Sequence, residues 1–171
     1  AAILTLSTWI FPESTQAMVK AQTRTLIRRP LEQVFRFVVE DFVTNYPRWS
    51  PEVKSLRVLT HGPLQVGWTG HQVRVDQGRR TESDFRVIAL EPGRQVTFRG
   101  VRDPYRIDYR FEPREQHTEL HFSFEMGKLS LPLRPFEKLI RLAVQEGTER
   151  TVRNLKGLVE AEIEPPSPSA A

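Results

Sequence analysis

The chain has 171 residues, of which 25 are Lys or Arg and 21 Asp or Glu, a formal net charge of +4, and no cysteine. That length suits one domain with a sizeable core, and the missing thiols exclude disulfides, a cysteine nucleophile and Cys-based zinc sites. The basic excess is scattered, with only Arg28-Arg29 and Arg79-Arg80 as doublets, so no basic arm for nucleic acid is expected.

Residues 1–11 are apolar but short, and the basic n-region of a signal peptide is missing. Residues 1–17 therefore read as an extension outside the fold, with Met18 as the natural start, and residues 18–163 as the domain. From Val19 to Ile27 the residues alternate, which predicts a strand. Pro30 suits the first turn of a helix, and Leu31, Val34, Phe35 and Val38 recur on one helical face. A second short helical piece is predicted over 42–45, ended by Tyr46-Pro47-Arg48-Trp49-Ser50-Pro51, because two prolines oppose a continuous helix.

Six more strands are predicted over 53–60, 66–76, 79–90, 94–102, 105–113 and 117–127, divided by Gly- and Pro-containing turns. Short connections make them an antiparallel meander. Tyr105, Ile107, Tyr109 and Phe111 share one face of their strand, as do Leu120, Phe122, Phe124 and Met126, with charged residues opposite. The period then changes. Residues 133–163 predict a helix about 45 Å long at 1.5 Å per residue, with Phe136, Leu139, Ile140, Ala143, Gly147, Thr151, Leu155 and Leu158 along its inward stripe. Pro165-Pro166-Ser167-Pro168 ends it, and 164–171 reads as a disordered tail.

The middle of that stripe is small (Ala143, Gly147, Thr151), while the sheet face opposite is aromatic. Gly inside a helix costs about 1 kcal/mol relative to Ala, so Gly147 asks for a reason. One reading is an open space between helix and sheet; the other is a gap filled by aromatic side chains.

The motifs Arg29-Pro30-Leu31-Glu32-Gln33-Val34-Phe35, Tyr46-Pro47-Arg48-Trp49-Ser50-Pro51, Glu91-Pro92-Gly93-Arg94 and Asn154-Leu155-Lys156, in this order, resemble the START-like, or SRPBCC, superfamily. Within it they are similar to the polyketide cyclase/dehydrase and lipid-transport branch. The resemblance covers 19–163 and implies an α+β helix-grip fold: a curved antiparallel sheet of about seven strands around a long C-terminal helix, with two short helices after the first strand. It also implies a deep cavity between sheet and helix. It implies no single chemistry, since members carry lipids, bind small apolar compounds or cyclise polyketides.

The expected ligand-lining residues are Val73, Val75, Phe85, Phe98, Tyr105, Tyr109, Phe111, Phe122, Phe124, Ala143, Gly147 and Thr151. The Trp49 loop and the Gly62-Pro63 turn are candidate gates. His71 is the one histidine expected to point inward, in register with Val73 and Val75. A slip or bulge near Gly67 and Gly70 reverses this, bringing Trp68, Gln72 and Arg74 inside. No catalytic constellation, no cofactor and no metal cluster with ligand spacing is expected. Three functions stay open: a carrier or sensor of an apolar small molecule such as a lipid, quinone or polyketide-like compound; a cyclase or dehydrase using the same cavity; and a protein-interaction module. A cytoplasmic setting fits the absence of Cys, and no apolar run approaches the roughly 20 residues needed to span a bilayer. Net positive charge is compatible with transient contact at an anionic membrane surface.

Overall fold

The computed structural model of the protein describes residues 19–127 and 131–168. The expectations for residues 1–17, for Met18 and for the last three residues lie outside them. Seven strands form one antiparallel sheet: β1 (Val19–Ile27), β2 (Val53–Val58), β3 (Thr69–Asp76), β4 (Arg79–Glu91), β5 (Gln95–Gly100), β6 (Tyr105–Arg114) and β7 (His117–Met126). Their order is β1-β7-β6-β5-β4-β3-β2, so the first strand closes the meander beside the last. The β3–β4 hairpin turns through Gln77 and Gly78, both at positive φ (49° and 80°), the primed geometry that matches strand twist. Register shifts between Val53 and Ser55 and between Val87 and Ala89 mark bulges that bend the sheet.

Helix α1 (Leu31–Phe35) opens after Pro30 and runs into a π-helical turn at Arg36–Glu40, then α2 (Phe42–Trp49). Helix α2 is longer than predicted. Pro47 removes one intrahelical donor, yet the Ser50 N–H still reaches the Tyr46 carbonyl at 3.1 Å, so the turn closes. The reward is burial: Phe42, Tyr46 and Trp49 all lie on the core face. A 3-10 turn (Leu131–Phe136) leads into α3 (Glu137–Glu162), which packs along β1 and against α2. Residues 164–168 form no helix or strand.

Two of the motifs noted in the sequence act as ties. The Arg29 guanidinium is buried and donates to the carbonyls of Arg28, Glu160 and Ile163, placing a cation at the C-terminal end of α3. Asn154 donates to the Trp49 carbonyl at 3.2 Å, Leu155 is fully buried, and Lys156 donates to the Leu26 carbonyl at 2.8 Å. Hydrogen bonds from a charged group contribute about 1.5–3 kcal/mol. Arg29→Ala is therefore expected to lose about 2–3 kcal/mol in urea unfolding; a loss below 0.5 kcal/mol would show that the tie is dispensable.

Candidate functional site

The inward face follows the predicted alternation on β6 and β7, and Phe85 of β4 and Phe98 of β5 lie on it. Phe85, Phe98, Tyr109, Phe111 and Phe122 are buried there, while Tyr105, Ile107 and Phe124 are half-buried. Strand β3 departs from the expected register. Trp68 is fully buried, and its indole lies over Gly70, where an added Cβ would meet the ring at 2.7 Å. Gly70 must therefore face inward, and parity carries Gln72 and Arg74 inward with it. His71, Val73 and Val75 stand on the outer face, contrary to expectation. There the His71 ring bonds Asp84 at 2.7 Å and lies 3.3 Å from Glu82.

The helix stripe is also rotated from the predicted one. Thr148, Val152, Leu155 and Val159 are the buried positions; Ala143 is exposed, and Gly147 and Thr151 are half-buried. A Cβ on Gly147 would find only an Arg150 guanidinium nitrogen, at 3.9 Å. Gly147 therefore borders open space beside the Arg150–Glu52 ion pair, 2.9 Å long. Further towards the N-terminus of α3, Phe136, Leu139 and Leu142 are 53%, 64% and 67% exposed.

Between α2 and the sheet the space is filled. Phe42 stacks on Tyr46 and on Phe98 with ring centroids 4.8 and 4.7 Å apart. Trp49 is fully buried and is no gate. A cavity of about 10 Å³ remains among Phe42, Tyr46, Gln72, Phe85, Phe98 and Tyr105, room for about one water.

A polar cluster borders that cavity. The Tyr46 hydroxyl donates to Gln72 Oε1 at 2.8 Å and accepts from Arg74 Nη1 at 3.2 Å. Gln72 Nε2 donates to the Tyr105 hydroxyl and to Ser83 Oγ, both at 3.3 Å, and those two oxygens are 3.1 Å apart. Trp49 Nε1 donates to the Tyr109 hydroxyl at 3.3 Å. Sequence spacing gave no sign of this cluster, because it draws on α2, β3, β4 and β6. Tyr105 and Tyr109 were expected at the site, and Gln72 and Arg74 in the reversed register of β3; Ser83 joins through cross-strand register, lying opposite Gln72, and Tyr46 joins from α2.

Burial raises all three tyrosines. Tyr105 is pushed up to about 12, with hydrogen bonds from Ser83 and Gln72 pulling back, and Tyr46 and Tyr109 are raised as well. Burial lowers Arg74, but its hydrogen bond to Asp76 and the nearby Tyr46 phenol outweigh this and leave it raised. The phenols thus stay neutral while the protein is folded, whereas unfolded tyrosines ionise near pH 10. Above that pH the unfolded chain binds fewer protons than the folded one, so stability falls as pH rises towards the folded values. Each fully buried phenol contributes about 1.4 kcal/mol per pH unit in that window. With Tyr46 and Tyr109 buried, the urea midpoint should be flat just below pH 10 and fall steeply above it, in step with phenolate absorbance. Phenolate appearing near pH 10 in folded protein would contradict the buried geometry.

On the outer face, Glu112, Glu119 and His121 bring ligand-type atoms within 4.8 Å of one another. This cluster was not expected, since cross-strand pairing and not sequence spacing creates it. Arg114 lies 2.8 Å from Glu112 and 3.4 Å from Glu119, supplying their counter-charge. Among the described residues no helix is long and apolar enough to cross a membrane.

The sheet, the terminal helix and the short helices after β1 define a START-like fold. Similar solved structures include Zhui aromatase/cyclase from a Streptomyces species, with TM-score 0.71 and 13% identity, covering 85% of this chain and 95% of that one. A START superfamily protein from Mycobacterium smegmatis gives TM-score 0.67 and 18% identity, covering 84% and 99%. A Thermus thermophilus protein gives 0.68 and 19%, covering 85% and 99%. No curated protein matches the chain by sequence. Residues 18–160 match the family described as polyketide cyclase / dehydrase and lipid transport, and the chain belongs to that family.

Proposed function

We propose that the protein binds an apolar small molecule, as a carrier or sensor, between α3 and the inward face of the sheet. The observation that carries this reading is the asymmetry of the interior. Its α2 end is closed to about 10 Å³. Tyr105 and Ile107, which line that cavity, and Phe124, stacked on Tyr105, are only half-buried, and the first turns of α3 present Phe136, Leu139 and Leu142 to solvent. Grouped exposed apolar side chains suit a binding region, and a Cβ on Gly147 would meet only an Arg150 guanidinium nitrogen, at 3.9 Å. The Tyr105–Gln72–Ser83 cluster supplies the few polar contacts that orient a ligand in an otherwise apolar site. A lipid, a quinone or a polyketide-like compound has the required apolar body and polar oxygen.

The test is native mass spectrometry of the purified chain, followed by uptake of the neutral probe N-phenyl-1-naphthylamine. A co-purifying apolar molecule, or saturable probe uptake displaced by fatty acid or quinone, is the expected result. An empty protein that ignores the probe would move the weight to a protein-interaction module.

The polar cluster gives a cyclase or dehydrase a specific foothold. Tyr105, held neutral by burial, is suited to hydrogen-bonding an enolate oxygen rather than to passing a proton at neutral pH. On that reading Tyr105→Phe abolishes turnover of a polyketide substrate while leaving its binding within a few-fold; unchanged turnover would remove the enzymatic reading of this residue.

A further inference from the structure

The outer face of the sheet carries charge that the fold does not balance. Pairing places Arg106 of β6 opposite Arg99 of β5, and Arg99 opposite Arg86 of β4. Three arginines therefore stand side by side, one strand spacing of about 4.8 Å apart. Like charges directly opposite one another destabilise a sheet. Among the described residues neither Arg99 nor Arg106 has an acidic partner, and Arg86 reaches only the Thr69 hydroxyl, at 3.4 Å. The same row continues through Glu125 to Lys20, which bond each other at 3.1 Å.

Beside this row the surface drops. The next row is short-chained or drawn down: Gln22, Ser123, Asp108 and Thr97. Asp108 is buried, held by Thr97, Gln95 and Arg110, and so contributes little free negative charge. The row beyond rises again with Arg24 and Arg110 flanking His121. Between the two raised rows lies a trough of about 480 Å³, walled by Lys20 and Arg106 on one side and Arg24 and Arg110 on the other. Arg24, like Arg106, has no acidic partner among the described residues. Arg106 and Arg110 are four residues apart on one strand, about 13–14 Å.

We infer that this trough and its arginine row dock a carboxylate-rich segment of a partner protein. The open trough suits an extended chain laid along it rather than an enclosed small molecule. Guanidinium groups pair bidentately with carboxylates, and side chains leave an extended segment alternately to its two sides, so a chain lying along the trough meets Arg106 on one wall and Arg24 and Arg110 on the other. No aromatic side chain stands on the outer face at these positions, so the stacking platform of a single-stranded nucleic-acid site is missing. The site lies across the sheet from the apolar interior and operates independently of it.

The experiment is fluorescence anisotropy of the intact chain with a labelled oligoglutamate peptide at low salt. Binding should weaken roughly tenfold or more in R99Q/R106Q and again in R24Q, and fade as ionic strength rises. The charge-matched control K138Q/R153Q, on α3, should bind as the parent does. Melting and N-phenyl-1-naphthylamine uptake read the fold separately; R99Q/R106Q should melt at or above the parent temperature, because the like-charge row is gone. Absence of oligoglutamate binding, or equal weakening by the control pair, overturns the proposal. Tighter binding of oligothymidylate or phosphatidylglycerol vesicles through the same arginines also overturns it, in favour of a phosphate surface.

Discussion

Gly147→Leu is expected to abolish uptake of apolar molecules while leaving the protein folded. An ideal Cβ at this position meets one guanidinium nitrogen at 3.9 Å and nothing else, so the larger side chain has somewhere to go. Replacing Gly inside a helix recovers about 0.8–1 kcal/mol of backbone propensity, and the variant should unfold at slightly higher urea than the parent. The same leucine projects into the space beside the Arg150–Glu52 pair that the proposed ligand needs. Probe affinity should fall at least tenfold, about 1.4 kcal/mol. Paired unfolding and probe titrations decide the matter. A variant that unfolds would mean a filled core and an overpacking penalty of about 1–3 kcal/mol; a stable variant with parental uptake would place the ligand elsewhere.

The largest loss of stability is expected from Trp49→Ala. The indole is fully buried, lies against Phe37, Phe42, Tyr46 and Tyr109, and donates to the Tyr109 hydroxyl. Truncating a core Trp costs about 3–5 kcal/mol, partly for lost burial and partly for the cavity left behind. That is a large fraction of the roughly 5–15 kcal/mol that holds a domain folded. Trp49→Phe keeps most of the volume and should cost far less. Urea midpoints at constant slope measure both; a Trp49→Ala loss below about 1 kcal/mol would show that α2 does not plug the interior.

Legibility in the sequence followed local rules. Strands β6 and β7 could be read to within a residue because apolar and polar side chains alternate there, although Asp108, on the charged face, is drawn down and buried. The parity of β3 could not be read, because it depends on Trp68 resting on Gly70, a contact between side chain and backbone that alternation alone does not report. Helix α2 was cut short at Tyr46 because Pro47 is a strong local stop signal, yet burying Tyr46 and Trp49 outweighs one missing hydrogen bond. The α3 stripe was read through its small residues, whereas the helix buries Thr148 and Val152 beside them. Thr148 satisfies its hydroxyl within the helix, on the Val144 carbonyl at 2.8 Å, and so enters the core at little polar cost.

The tie at Arg29 has a further consequence for α3. One helix spans two regimes of local stability. Its last turns are bolted to β1, α2 and the Arg29 guanidinium, so they open only with the whole domain. Its first turns are solvated on their apolar side and belong to the low-energy end of the opening spectrum. The helix is anchored along Thr148, Val152, Leu155 and Val159, with Gln145 donating to the Gln22 carbonyl of β1 at 3.0 Å, so local opening is expected in the turns before Gln145. A ligand that settles beneath those turns orders them, and the entropic cost of that ordering falls on this segment rather than on the core.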